Sequence, residues 1–303
     1  MIGILEVLIQ NILPIFLVAG IGFWLRRYKR VETRPVASVV FNAFSPALVF
    51  SALVNTELPV LELGRLALFA VLTIALMSVV ALVAARVMRL NKIDSAVLLI
   101  AVMFVNGGNY GLTLNQLRYG EEGLALAIVY YIVSTIMAYT AGVFIASMGR
   151  RTWRESLRKL ASVPAIYAVF LALIVYTLKI PVPGPVMSAV DLAAAGAIPA
   201  MIVVLGMNMA DMRSISQLGL TLPAVGLRLL VGPIAAILIA SVLSLEGLSR
   251  SVSIIEGSMP SAVLTTVLAT EFDVKPVAMT GIVVLSTLLS PITLSIMIDF
   301  LGL

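Results

Sequence analysis

The chain has no cysteine and no histidine, and only 12% of its 303 residues carry charge. Without cysteine there is no disulfide framework, no thiolate nucleophile and no Cys-ligated metal. Without histidine the chain lacks the commonest general base and the one side chain that ordinarily titrates near neutral pH. Any proton coupling therefore falls to a carboxylate. Apolar residues make up 61% of the sequence, against roughly 45–50% apolar and 25% charged in a soluble domain. That leaves too little polar surface to face water, so lipid must be the solvent for most of the chain. The formal net charge of +5 does not point to nucleic acid, because the charges sit in short connections between apolar runs.

A span needs about 20 apolar residues to cross a hydrocarbon core about 30 Å thick. Apolar runs between charged breaks predict an all-α integral membrane protein with ten transmembrane helices, at 4–26, 36–56, 64–88, 93–117, 121–148, 160–180, 186–210, 216–244, 250–271 and 276–301. Met1 to Gln10 contain Glu6 and no basic residue, which reads as an uncleaved first span rather than a secretory signal. The connections after odd-numbered spans hold Arg26, Arg27, Lys29, Arg30 and Arg34; Arg86, Arg89 and Lys92; Arg150, Arg151, Arg154, Arg158 and Lys159; Arg213; and Lys275. Those on the other side hold only Arg65, Arg118, Lys179 and Arg250. Basic loop residues collect in the cytoplasm. This predicts a cell-membrane protein with both termini extracytoplasmic.

The two halves resemble each other at an offset near 150 residues. Pro14 and Lys29 correspond to Pro164 and Lys179, Gly107 to Gly257, and Glu121 to Glu271; Pro46-Ala47 with Asn55 corresponds to Pro199-Ala200 with Asn208. Residues 1–149 then form a first repeat, 150–159 a basic cytoplasmic loop and 160–303 a second repeat. Five spans per half make the repeats inverted, an arrangement typical of secondary transporters with a site at the repeat interface.

Two spans carry breaking residues at matched depth. The fourth reads Asn106-Gly107-Gly108-Asn109-Tyr110-Gly111 and the ninth Glu256-Gly257-Ser258-Met259-Pro260-Ser261. Glycine costs about 1 kcal/mol in a helix interior relative to alanine, asparagine prefers caps and turns, and proline removes a helical hydrogen bond. The bland reading is close packing at the glycines and a simple kink at Pro260. Paired interruptions in corresponding spans instead mark a binding site, with half-helix N-termini suited to a carboxylate and freed carbonyls to a cation. Arg228 falls inside the eighth span, where a charge is costly and usually functional. Either it attracts an anionic substrate or it pairs with Glu256. Glu256 in turn ligates Na⁺ with carbonyls of the fourth span, relays a proton, or only neutralises Arg228. Asn42, Asn55 and Asn208 either line a cavity or hold helices together.

The stretch "GNYGLTLNQLRYGEEGLALAIVY" resembles the auxin efflux carrier family of permeases. Thr113 stands where that family has proline, and Arg118-Tyr119-Gly120 where it has an aromatic-Gly pair. "FNAFSPALVFSAL", "GSMPSAVLTTVLATEF" and "VVLSTLLSPITL" are similar to its second, ninth and tenth spans. The resemblance implies a fold shared with bile acid–sodium symporters, with broken, crossing fourth and ninth helices, an elevator-type transport part and a homodimer. It implies a small organic anion, a carboxylate, as substrate. Asn109 and Pro260 then match the family's crossover residues, and Glu256 falls where the sodium symporters have a cation-ligating carboxylate.

The reading is a secondary transporter, with Na⁺ or H⁺ coupling or plain uniport open. The candidate site comprises residues 106–111 and 256–261 with Asn42, Pro46, Asn208 and Arg228. A channel is the rival, although no ring of charge or repeated filter loop is present. An intramembrane enzyme is the third, although no GxSxG elbow or aspartate pair appears. No cofactor is expected beyond a coupling ion.

Overall fold

The computed structural model describes residues 3–56, 59–147, 161, 163–211 and 217–302. The predicted basic loop at 150–159 and Arg213 lie outside the described residues. The helices are α1 (Ile4–Arg27), α2 (Thr33–Val54), α3 (Val60–Val87), α4 (Lys92–Met103), α5 (Gly107–Ala146), α6 (Pro164–Leu178), α7 (Gly184–Ala210), α8 (Leu218–Val242), α9 (Gly247–Ser258), α10 (Val263–Glu271) and α11 (Pro276–Leu301). Seven of these, α1, α2, α3, α5, α7, α8 and α11, are long and apolar enough to cross a membrane. Among the described residues there is no strand, only one antiparallel bridge between Val105 and Ser261.

Helix ends follow local chemistry. Asn91 caps α4 by accepting the Asp94 N–H at 2.9 Å, and its own amide donates to the Asp94 carboxylate at 2.8 Å. Pro164 and Pro276 open α6 and α11, where the missing N–H is not needed. α5 turns sharply at Gly120, whose φ of 68° and ψ of −155° suit glycine alone. That one residue joins the arm 107–119 to the arm 121–146.

The fourth and ninth predicted spans are each divided. The first gap lies at 104–106 and shares only Asn106 with the expected stretch 106–111: Gly107–Gly111 is not the gap but a π-helical turn that opens α5. The second gap runs from Met259 to Ala262. Met259 is extended (φ −58°, ψ 152°) because the ring of Pro260 crowds the helical conformation of the residue before it. The two gaps cross and satisfy each other. The Asn106 N–H donates to the Pro260 carbonyl at 2.8 Å, and the Ala262 N–H to the Phe104 carbonyl at 2.9 Å. Lipid offers no such partners, so neither gap is tolerable alone.

Helices α1, α2, α6 and α7 pack on one another, while α3, α4, α5 and α8 to α11 form a second group around the crossing. In the first group α1 and α7 come very close. A Cβ on Gly22 would overlap the Val203 backbone, and one on Gly206 the Ala19 backbone. Small residues that let backbones touch are the usual adhesive between membrane helices.

Candidate functional site

Between the two groups lies a cavity of about 810 Å³. It runs from the helix ends at Thr33, Arg34, Val163 and Asp211 down to the first gap, where Val105 to Asn109 form its floor. Asn42 and Asn208 line its walls, with Tyr131, Thr266 and Thr270. The mouth is on the side that carries Arg26, Arg27, Lys29 and Arg30. Among the described residues two charged ones border the cavity, Arg34 and Asp211. The Asp211 carboxylate is already engaged, by Arg26 Nε at 2.6 Å and Thr33 Oγ1 at 3.2 Å. Arg34 is exposed and forms no ion pair among the described residues. Among the described residues the unneutralised charge at the cavity is therefore positive. At the floor, Asn106 Nδ2 is a buried donor with no partner.

Behind the floor sits Glu256, wholly buried in the last turn of α9. Its Oε1 accepts from Asn115 Nδ2 at 3.0 Å, and the same Nδ2 lies 3.0 Å from the Gly111 carbonyl. Gly107 and Gly111 are glycines because a Cβ on either would run into this carboxylate. Glu256 Oε2, Asn115 Oδ1 and the Tyr130 hydroxyl have no hydrogen-bond partner. A buried carboxylate requires a proton or a cation. The free atoms here are all hard oxygens, which fit a proton or a small alkali cation.

Arg228 is 1% exposed and forms no ion pair with Glu256, so the predicted pairing is replaced by another arrangement. Its Nη1 donates to the Val102 carbonyl at 2.9 Å and its Nη2 to the Gly257 carbonyl. Nor is it among the residues that line the cavity.

The predicted residues thus divide. Asn42, Asn106, Gly107, Gly108, Asn109 and Asn208 meet at the cavity. Tyr110 and Gly111 are buried behind it, Tyr110 edge-on to Phe16 with ring centroids 6.0 Å apart. Pro46 lies just after a π-helical turn of α2 and is not among the lining residues. Gly257, Ser258, Met259, Pro260 and Ser261 are buried around the second gap. Ser258 Oγ donates to the Ile254 carbonyl at 2.6 Å and Ser261 Oγ to the Ala101 carbonyl at 2.8 Å. Asn42 and Asn208 donate to Ser38 and Val204 one turn back, at 2.8 Å each, which leaves their amide oxygens as acceptors. Sequence reasoning missed Asn115, Tyr130 and Arg34. The first two were findable as polar groups inside an apolar span; Arg34 was read only as a charge that sets orientation.

The family model described as "Membrane transport protein" matches residues 7–154 and 146–298. A protein of Methanothermobacter thermautotrophicus named as an uncharacterized transporter is 29% identical over 259 residues, covering 84% of this chain and 85% of that one. Another so named, from Methanocaldococcus jannaschii, is 22% identical over 279 residues, covering 88% and 91%.

Proposed function

The chain belongs to the membrane transport protein family that includes the auxin efflux carriers, and from that premise we propose that it carries a small organic anion, a carboxylate, by alternating access. The observation that carries this reading is the cavity whose floor is the first gap and whose free charge is that of Arg34. In this reading the chain is ten spans in two inverted repeats. The crossing gaps, with α3, α4, α5 and α8 to α11, form the part that moves as an elevator. Helices α1, α2, α6 and α7 form the scaffold, and two copies pair in the cell membrane. The distribution of Lys and Arg supports termini outside and a mouth that faces the cytoplasm.

The substrate carboxylate is held at the floor by the Asn106 amide, the Asn109 side chain and the N–H groups that open α5. Those N–H groups carry the partial positive charge of a helix start. Arg34 draws the anion to the mouth. The amide oxygens of Asn42 and Asn208 accept from any hydroxyl the substrate carries. Glu256 couples the movement to a cation: its free Oε2 and Asn115 Oδ1 bind H⁺ or Na⁺. Occupancy there neutralises a carboxylate lying just behind the bound anion.

The test is counterflow in proteoliposomes against a panel of mono- and dicarboxylates. Saturable exchange is expected. Asn109→Ala is expected to lower it by about 10- to 100-fold, the value of a hydrogen bond to a charged group, and Glu256→Ala to abolish accumulation driven by a pH or Na⁺ gradient. Exchange undiminished by Asn109→Ala together with gradient-driven accumulation that survives Glu256→Ala removes the site assignment, and conductance without counterflow replaces the carrier with a channel.

A further inference from the structure

Arg228 rides on the π-helical turn Leu227–Val231 of α8, a local widening that often marks functional positions. Neither carbonyl that it binds has a helical partner. In an unbroken helix Val102 O would take the N–H of residue 106, but the Asn106 N–H is spent on Pro260 O. Gly257 O would take the N–H of residue 261, but the Ser261 N–H faces Ser286 Oγ at 3.2 Å. Each is thus an orphan at the negative end of a half-helix, and the two ends meet at one point. Freed carbonyls and half-helix C-termini of this kind are where transporters take cations from solution. Space for the head group is reserved on α8 itself, since a Cβ on Gly232 would overlap the guanidinium.

We propose that Arg228 is a resident cation, a fixed guanidinium that fills the ion-attracting place between the C-terminal ends of α4 and α9 and holds the two half-helices at constant spacing. It is a positioning residue and touches no part of the cavity. The consequence for coupling, which rests on the function proposed above, is that Glu256 is left as the one site for a moving cation at this crossing. A planar group with several donors suits two carbonyls in a way that a lysine ammonium does not.

The experiment needs no substrate, so its failure and the failure of the proposed function are separable. Purified wild type, Arg228→Ala and Leu53→Ala, a distant core control, are unfolded thermally in choline chloride, sodium chloride and guanidinium chloride at one low concentration. Arg228→Ala is expected to lower Tm by on the order of 5 °C. Guanidinium is expected to restore most of that loss, sodium less of it, and neither to help wild type or Leu53→Ala. Guanidinium that acts no better than choline, or that helps Leu53→Ala equally, overturns the proposal. Should Arg228→Ala yield no folded protein, Arg228→Lys is followed by hydrogen exchange. Faster exchange confined to the amides of 104–108 and 258–262 supports the clamp, and exchange unchanged there overturns it.

Discussion

The two gaps do the same topological work with opposite materials. The first, at 104–106, is followed by glycines and places Asn106 and Asn109 at the cavity. The second, at Met259 to Ala262, is enforced by Pro260 and turns its polar groups inward, Ser258 and Ser261 to carbonyls and Glu256 to Asn115. The first gap gives most of its residues to the cavity, whereas the second gives only Ala262 and keeps its polar side chains on buried partners. In the proposed function the first gap is therefore the main face for the cargo and the second chiefly a lock, so a pair of matched interruptions does not imply a pair of matched roles.

That contrast can be broken most forcefully where the two gaps touch. Gly111→Ala puts a methyl group against the Glu256 carboxylate. A loss of about 1–3 kcal/mol of stability is expected, read as a lower Tm, with rescue by Glu256→Ala in the double variant. Additive losses would show that the contact is unimportant. A smaller effect is expected at the mouth. Arg34→Gln should raise KM by roughly 5-fold at low salt, the worth of about 1 kcal/mol of screened Coulomb attraction, and hardly at all at high salt. A salt-independent change would remove Arg34 from the substrate's path. An effect of similar size, confined to stability, belongs to the lock: Ser261→Ala should cost about 1 kcal/mol and leave KM unchanged. A changed KM would place Ser261 at the cargo as well.

Much of the architecture is legible in hydropathy, because lipid imposes length and polarity on every crossing element. The apolar runs match α1, α2, α3, α7, α8 and α11 to within a few residues at either end. The depth of the gaps is legible too, from Pro260 and the glycines. Their register is not. Glycine at 107, 108 and 111 reads as a break, yet these residues form a helical turn, because the space they vacate is needed by Glu256 at 107 and 111 and by the Tyr131 ring at 108 rather than by a bend. The partner of Arg228 was also out of reach. Charge suggests a carboxylate, whereas the acceptors it meets are carbonyls orphaned by the gaps, and these exist only once the chain has folded. Asn115 was available as a polar residue in an apolar run, but its bond to Glu256 spans 141 positions.

The joint at Gly120 has its own consequence. A link of one residue reaches less than 4 Å when fully stretched, so it has no slack with which to absorb a displacement. Whatever shifts the arm that ends at Tyr119 must drag the 121–146 arm along with it. In the function proposed above, the cavity floor is thereby tied to that second arm, and a displacement at the crossing is passed on to it rather than absorbed at the joint.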